Sequence, residues 1–225
     1  MYLTDKETNL VFSIMHDLSG EFDHSEGRQR VGQKLLELLK AEYFASYVWD
    51  PAKEKFVSCV QINMTDSNLR KYESYFQFRD PITHTLRSRR RATPVSEIMR
   101  HDKLERTEFY NDFLKQDGLC YGLNFFAYDR GENIGDLRIW RGANQEDFTS
   151  RDAQIVDAIG PSLVNALIRS KGVEGANPAF RFAQLKDTLG FTTREAEVAD
   201  LLVTGLSDIE ICGKLGFSKP TLRSH

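Results

Sequence analysis

Cysteine is scarce in this sequence. Cys59, Cys120 and Cys212 are its three, widely spaced, so a disulfide framework is excluded. There is no CxxC pair and no Cys/His cluster at zinc spacing, so no metal site is expected. All three cysteines read as reduced core or near-core residues. The five histidines are scattered, and none sits with a Ser/Asp or Cys partner that would activate a nucleophile. No glycine-rich phosphate loop is present; Gly131 and Gly135 read as turn glycines. These absences point to a non-enzyme without a cofactor. No apolar run approaches the ~20 residues that span a bilayer. The opening MYLTDKETNLVF lacks the basic flank and apolar run of a secretory signal. A cytoplasmic protein with no membrane partner is expected. The net charge of −3 makes no case for a polyanion partner by itself.

What is present suits a folded protein. Hydrophobic residues make up 40% and charged residues 28%, enough apolar material for a core. A length of 225 residues fits one mid-sized domain and one small one. Leu10, Phe12, Ile14, Met15 and Leu18 mark a first helix closed by Gly20. Val31, Leu35, Leu38 and Leu39 line one side of a second, Ser25 to Lys40. YFASYVWD and FVSCVQI then read as a hairpin around the turn DPAKEK. A helix at 67–76 ends before Asp80-Pro81, because a residue before proline leaves the helical basin. Residues 82–104 are basic and irregular, with Arg87, Arg89, Arg90 and Arg91 as a solvated loop cluster. A helix from Glu105 to Leu114 ends at Gly118. LCYGLNFFAYD and IGDLRIWRG are two more strands around the turn Asp129 to Asn133. Thr149 caps a long helix, with Asp152 as its box partner, running to about Ser170 with a bend expected at Pro161.

This order predicts an α+β fold: a PAS/GAF-like antiparallel sheet flanked by helices, followed by a small all-α helix-turn-helix domain. Residues 1–170 form the first domain, 171–178 (KGVEGANP) a linker, and 179–225 the second. A sheet of this kind commonly leaves room for a small molecule. Aromatics concentrate in the strands and near Asp80. Side chains alternate along a strand, so Tyr47 with Trp49, and Phe126 with Tyr128, are same-face pairs and candidate pocket residues.

The final segment, FTTREAEVADLLVTGLSDIEICGKLGFSKPTLRSH, is the most specific part of the chain. Thr192 or Thr193 caps a helix with Glu195 in its first turn, and Val198, Leu201 and Leu202 form its stripe. Gly205 stops it. Ser207 and Glu210 form a capping box for the next helix, which Gly216 ends. Ser218 opens a third, with Pro220 in its first turn. Thr193-Arg194-Glu195, Val198, Leu202, Gly205, Leu206-Ser207, Glu210-Ile211, Leu215-Gly216, Ser218 and Thr221 resemble the helix-turn-helix of LuxR-type transcriptional regulators. The resemblance implies DNA as a partner, contacted by Thr192, Ser207, Lys219, Thr221, Arg223, Ser224 and His225. Arg223 and Ser224 would meet base edges; Lys219 and Thr221 would meet phosphates. The family domain has a fourth helix beyond its recognition helix, whereas this sequence stops at His225. Residues 181–225 hold six Lys/Arg against six Asp/Glu, so weak DNA binding is expected of this form.

Residues 1–170 resemble, on fewer positions, the effector-binding domain of the same family. Tyr72, Phe76 and Arg79-Asp80-Pro81-Ile82 match its tyrosine and Asp-Pro pair; Gly118 and Gly122 match its paired glycines. The resemblance implies an effector site around Asp80, Tyr72 and Phe76, to which the strand-face candidates Tyr47, Trp49, Phe126 and Tyr128 add. Asp80 would accept a hydrogen bond from the amide of an acyl-homoserine-lactone-like signal. Its other reading is an aspartate satisfied by local amides at a turn. The sequence departs from the family where Asn68 and Glu97 replace two tryptophans, removing a donor and an aromatic wall from any lactone site. Three functions follow: a homodimeric regulator controlled by a small-molecule effector; a regulator or anti-regulator whose N-terminal domain only dimerises or binds a protein; and a GAF-like enzyme using Cys120, which requires an exposed thiol beside a base.

Overall fold

Alternation along five antiparallel strands divides the core into two layers. The computed structural model describes residues 3–20, 25–174, 192–203 and 208–224; it gives no side-chain account at 171–174, 196, 199–200, 202–203, 208–210 and 223–224. The chain falls into two units, Met1–Ser170 and Lys171–His225.

The first unit begins with α1 (Asp5–Ser19) and α2 (Glu26–Leu39). A capping box opens α1: Thr4 Oγ1 accepts from the Glu7 amide, and Glu7 accepts from the Thr4 amide at 2.8 Å. The hairpin β1 (Tyr43–Asp50) and β2 (Lys55–Ile62) follows. Next come α3 (Asp66–Ser74), a 3-10 turn at Phe76–Phe78, and α4 (Thr83–Arg89). After β3 (Thr93–Pro94) lie two short helices, α5 (His101–Leu104) and α6 (Glu108–Asp112). The hairpin β4 (Tyr121–Asp129) and β5 (Glu132–Arg141) leads to α7 (Ser150–Glu174). The strand order is β2-β1-β5-β4-β3.

One face of the sheet presents Phe44, Leu123, Phe125, Leu137 and Ile139 to α1, α2 and α7. The other presents Ala45, Tyr47, Phe126 and Trp140 to the segment between β2 and β4. With both faces covered, every residue of β5 from Asn133 to Arg141 is buried. This is an α+β GAF/PAS-like fold.

Several elements differ from expectation. The basic stretch 82–104 contains α4, α5 and a fifth, two-residue edge strand, β3. The helix expected at 105–114 is only Glu108–Asp112, opened by Thr107 as its cap. The long helix carries the Thr149–Asp152 box but runs to Glu174, through the first residues of the expected linker. Residues 175–178 of that linker lie outside the described residues.

Gly135 is not a turn residue. It stands inside β5 opposite Val48 and Ala127, beside the register shift of the β4–β5 ladder. A Cβ there would lie 2.8 Å from the Tyr47 carbonyl oxygen, so the close backbone approach excludes a side chain. Gly160 on α7 similarly admits the Phe125 ring: its Cβ would sit 2.7 Å from Phe125 Cζ. Ala153 and Ala166 are buried against the same sheet face. These small residues serve internal packing.

In the second unit, helices at Thr193–Val203, Asp208–Leu215 and Lys219–Ser224 are described. Thr192, rather than Thr193, is the first cap: its Oγ1 accepts from the Glu195 amide, and Glu195 accepts from the Thr192 amide at 2.7 Å. Ser218 Oγ accepts from the Thr221 amide at 3.3 Å. Val198, Ile211 and Leu222 form a small buried cluster.

Candidate functional site

The site lies on the sheet face covered by α3, α4 and α6. Period-two alternation aims Asp136, Arg138 and Trp140 of β5 to this side, while Leu137 and Ile139 face the other layer. Asn124 of β4 stands directly opposite Arg138, and Ala45 of β1 flanks it on the other side. Tyr72 comes from α3. Asp80 follows the 3-10 turn, where Pro81 forces the chain out of helix before α4 begins.

Asp80 does two things. Its Oδ1 accepts from the Ile82 and Thr83 amides, at 3.0 and 2.6 Å, satisfying the start of α4. Its Oδ2 accepts from the Tyr72 hydroxyl at 3.2 Å. The hydroxyl in turn accepts from Arg138 Nη1. Arg138 Nε donates to Asp136 Oδ2 at 2.8 Å, and Nη2 lies 2.7 Å from the same oxygen. Asp136 Oδ1 accepts from the Tyr47 amide at 2.8 Å, replacing a ladder bond where β1 is irregular. A continuous buried network therefore runs from β1, opposite the bulge in β2, to the start of α4.

Charges this deep are tolerable only when paired. Asp136 is fully buried, and burial pushes its carboxyl up, while Arg138 and the Tyr47 amide oppose that shift. Burial alone would lower the Arg138 guanidinium; Asp136, Tyr72, Tyr47 and Asp80 together hold it well above its ordinary value. Burial is also the main cause that raises the Tyr72 and Tyr47 phenols. Both stay neutral hydrogen-bonding groups at any physiological pH.

Rings surround the guanidinium. Its carbon lies 4.6 Å from the Phe56 ring centre, 4.8 Å from Tyr72, 4.9 Å from Tyr47 and 6.0 Å from Phe126. The cavity beside it, bounded by Met64, Tyr72, Asp80, Phe113, Asn124, Arg138 and Trp140 among others, has a volume of about 20 Å³. That is room for one water molecule, not for an acyl chain. The Asn124 Oδ1 atom at its wall is buried and accepts no hydrogen bond from the described residues.

The expected effector residues separate into three places. Asp80, Tyr72 and Tyr47 line the cavity. Phe126 packs against Phe56 deeper in the same layer, and Phe76 packs with Tyr75, Phe109 and Phe113 away from the cavity. Trp49 and Tyr128 form an outer rim with the arginine cluster: Arg87 stacks 4.1 Å from Trp49, Arg90 lies 4.6 Å from Tyr128, and the Tyr128 hydroxyl donates to the Arg87 carbonyl. Asn68 is a buried brace, donating to the Phe113 carbonyl and Asp117. Glu97 is exposed and pairs with Arg91. Arg138, Asp136 and Asn124 were not among the expected site residues.

Cys120 does lie beside a base, with Sγ 3.4 Å from His101 Nε2. It is buried, however, and burial raises its thiol, so the thiolate that nucleophilic chemistry needs is disfavoured. Among the described residues no group of three His, Cys, Asp or Glu side chains could hold a metal, and no helix is long and apolar enough to cross a membrane.

Of the expected DNA-contacting residues, Thr192, Lys219 and Thr221 are exposed. Thr192 is engaged as a cap. Arg223 and Ser224 lie on the helix Lys219–Ser224, with their side chains outside the description; Ser207 and His225 lie outside the described residues.

No protein-family model matches the chain, and no curated protein matches it by sequence. Solved structures do. The GAF domain of a phosphoenolpyruvate-protein phosphotransferase from Coxiella burnetii superposes with a TM-score of 0.59 at 15% identity, covering 76% of this chain and 96% of that one. CepR2, an N-acylhomoserine-lactone-dependent LuxR-family factor from Burkholderia cenocepacia, gives 0.53 at 17% identity, covering 72% and 93%. SdiA in complex with octanoyl-rac-glycerol gives 0.51 at 16% identity, covering 100% and 88%. At such identities the likeness is one of fold. The chain has the ligand-binding-domain fold that LuxR-family autoinducer-binding domains share with GAF domains.

Proposed function

We propose that this protein is a DNA-binding transcription regulator whose N-terminal domain, residues 1–170, controls and pairs C-terminal readers without needing a small molecule to fold. The observation that carries this reading is the filled sheet face. The fold is that of an autoinducer-binding domain, yet Arg138 and its aromatic neighbours leave only about 20 Å³ beside Asp80, the residue to which the family resemblance assigns the effector's hydrogen bond. The DNA-binding half rests on the run of short helices after Thr192, two of them capped by Thr192 and Ser218, and on their LuxR-type residues. Residues 179–225 serve as reader, and α7 carries the chain helically as far as Glu174 before them. The protein is not an enzyme, in keeping with the protonated Cys120 thiol.

One observation favours a second reading, in which a small neutral effector controls the domain. Asn124 Oδ1, at the cavity wall, is a buried acceptor without a partner among the described residues, and such a group calls for a ligand or water to satisfy it. The bound octanoyl-rac-glycerol of SdiA shows that this fold can hold a neutral amphiphile in that protein.

Selection of duplexes from a random library by the purified chain tests the regulator reading. The expected result is enrichment of a paired motif with half-sites about one helical turn apart. Lys219→Ala should weaken all sequences alike and reduce the salt slope by about one. No enrichment at low salt would overturn the reading.

A further inference from the structure

Arg138 is an unusual occupant for the middle of an aromatic layer. It is 6% exposed, and its stem rises from β5 between Leu137 and Ile139, which face the opposite layer. The head is planar and carries five donors. A carboxylate accepts from Nε and lies within ion-pair distance of Nη2, which makes no hydrogen bond among the described residues, the Tyr72 hydroxyl accepts from Nη1, and four rings surround the guanidinium carbon within 6.0 Å. Aromatic faces converging on a cation, closed by a carboxylate, are the composition of a site that recognises cationic ligands. The same network reaches Asp80 through Tyr72, so the acceptor that would orient an external ligand is already engaged.

We propose that Arg138 is the resident ligand of this pocket, supplied by the chain itself, and that its removal leaves a binding site for an alkylguanidinium cation. This inference rests on the reading that the N-terminal domain needs no external small molecule. The domain is thus held in a filled state by a covalent part of β5. Arg138 sets specificity by exclusion: while its head is in the cage, neither a second cation nor an acyl chain has room. Removal leaves Asp136 buried without its counter-charge and Tyr72 without its donor. An added guanidinium restores both, because it offers the same planar donors to the same acceptors.

The test is chemical rescue of Arg138→Ala with ethylguanidinium chloride at millimolar concentration, read by thermal unfolding. Sodium chloride of equal ionic strength and the wild-type chain are the controls. The variant should melt below wild type and rise by about 3–5 °C in ethylguanidinium, the shift expected near ten times a ligand's dissociation constant for a domain of this size. Wild type, with its cage filled, should show no rise. If the variant does not fold alone, dialysis from urea with and without ethylguanidinium replaces the melt, and folding only with the cation supports the proposal. No rescue in either format, or the same rise in wild type or in sodium chloride, overturns it. A small molecule retained by wild type would instead sink the ligand-independent function, whereas failed rescue beside ligand-free wild type sinks only the role given to Arg138.

Discussion

Truncating Asp80 to alanine removes one acceptor from each end of a bridge. Two amides at the start of α4 lose Oδ1, and the buried Tyr72 hydroxyl loses Oδ2. Loss of a side-chain cap costs about 1 kcal/mol, and a buried hydroxyl without its acceptor about 1–3 kcal/mol. The sum, about 2–4 kcal/mol, corresponds to a melting-point drop of roughly 5–15 °C for a domain of this size. Asp80→Asn is milder. Its amide oxygen can keep the α4 contacts, and its amino group then faces a Tyr72 hydroxyl that already accepts from Arg138. Exchanging charge-assisted bonds for neutral ones costs about 1–2 kcal/mol. The sequence contains two tryptophans, Trp49 and Trp140, both in the N-terminal unit, so intrinsic fluorescence in a urea titration reports on this domain alone. The stability order should be wild type, then Asp80→Asn, then Asp80→Ala. An alanine variant within about 0.5 kcal/mol of wild type, the range of ordinary surface substitutions, would refute the bridging role. Asp80 would then be free for an external ligand.

Three further outcomes are expected. Gly135→Ala should destabilise the domain by about 1–3 kcal/mol, because its Cβ meets the Tyr47 backbone oxygen at 2.8 Å and backbone cannot rotate away; a urea midpoint equal to wild type would contradict the close approach. Glu7 is held at about 2, chiefly by its hydrogen bond to Arg151, which ties α1 to α7. Since the folded value lies below the ordinary 4.5, the stabilisation is present above that pH and disappears as pH falls towards 2. Arg151→Ala should therefore differ from wild type at pH 6 and converge with it near pH 2, by a small margin because water still reaches this part-buried pair; a gap that widens in acid would reverse the assignment. Finally, two readers spaced on DNA require two copies of the chain, so sedimentation at tens of micromolar should show a dimer, and a concentration-independent monomer would exclude that arrangement.

The hairpins were legible because aromatic and β-branched runs bracket clear turns, and α1, α2 and α7 because their apolar stripes and caps are local signals. The two-residue strand β3 was not, since its place is set by pairing with Leu123 and Asn124 rather than by Thr93 and Pro94 themselves. Gly135 was misplaced for a related reason: a strand glycine and a turn glycine look alike until the neighbouring backbone is known. Asp80 and Tyr72 were found by resemblance, and the structure adds that they hydrogen-bond to each other and to Arg138. Arg138 itself carried an overlooked signal. In GDLRIWR, Asp136 and Arg138 fall at i and i+2 of a strand, with apolar Leu137 between them and Ile139 beyond. Opposite charges on one face of a strand buried on both sides must pair inside the core. The size of the cavity was beyond reach, because it depends on how rings from four separate elements pack around one head group.

Native mass spectrometry of the purified full chain tests the central claim most directly. Each protomer should appear at its 25.8 kDa sequence mass, with no added component that leaves only on denaturation. A stoichiometric small molecule retained on the folded protein would contradict the claim that Arg138 fills the place of a ligand.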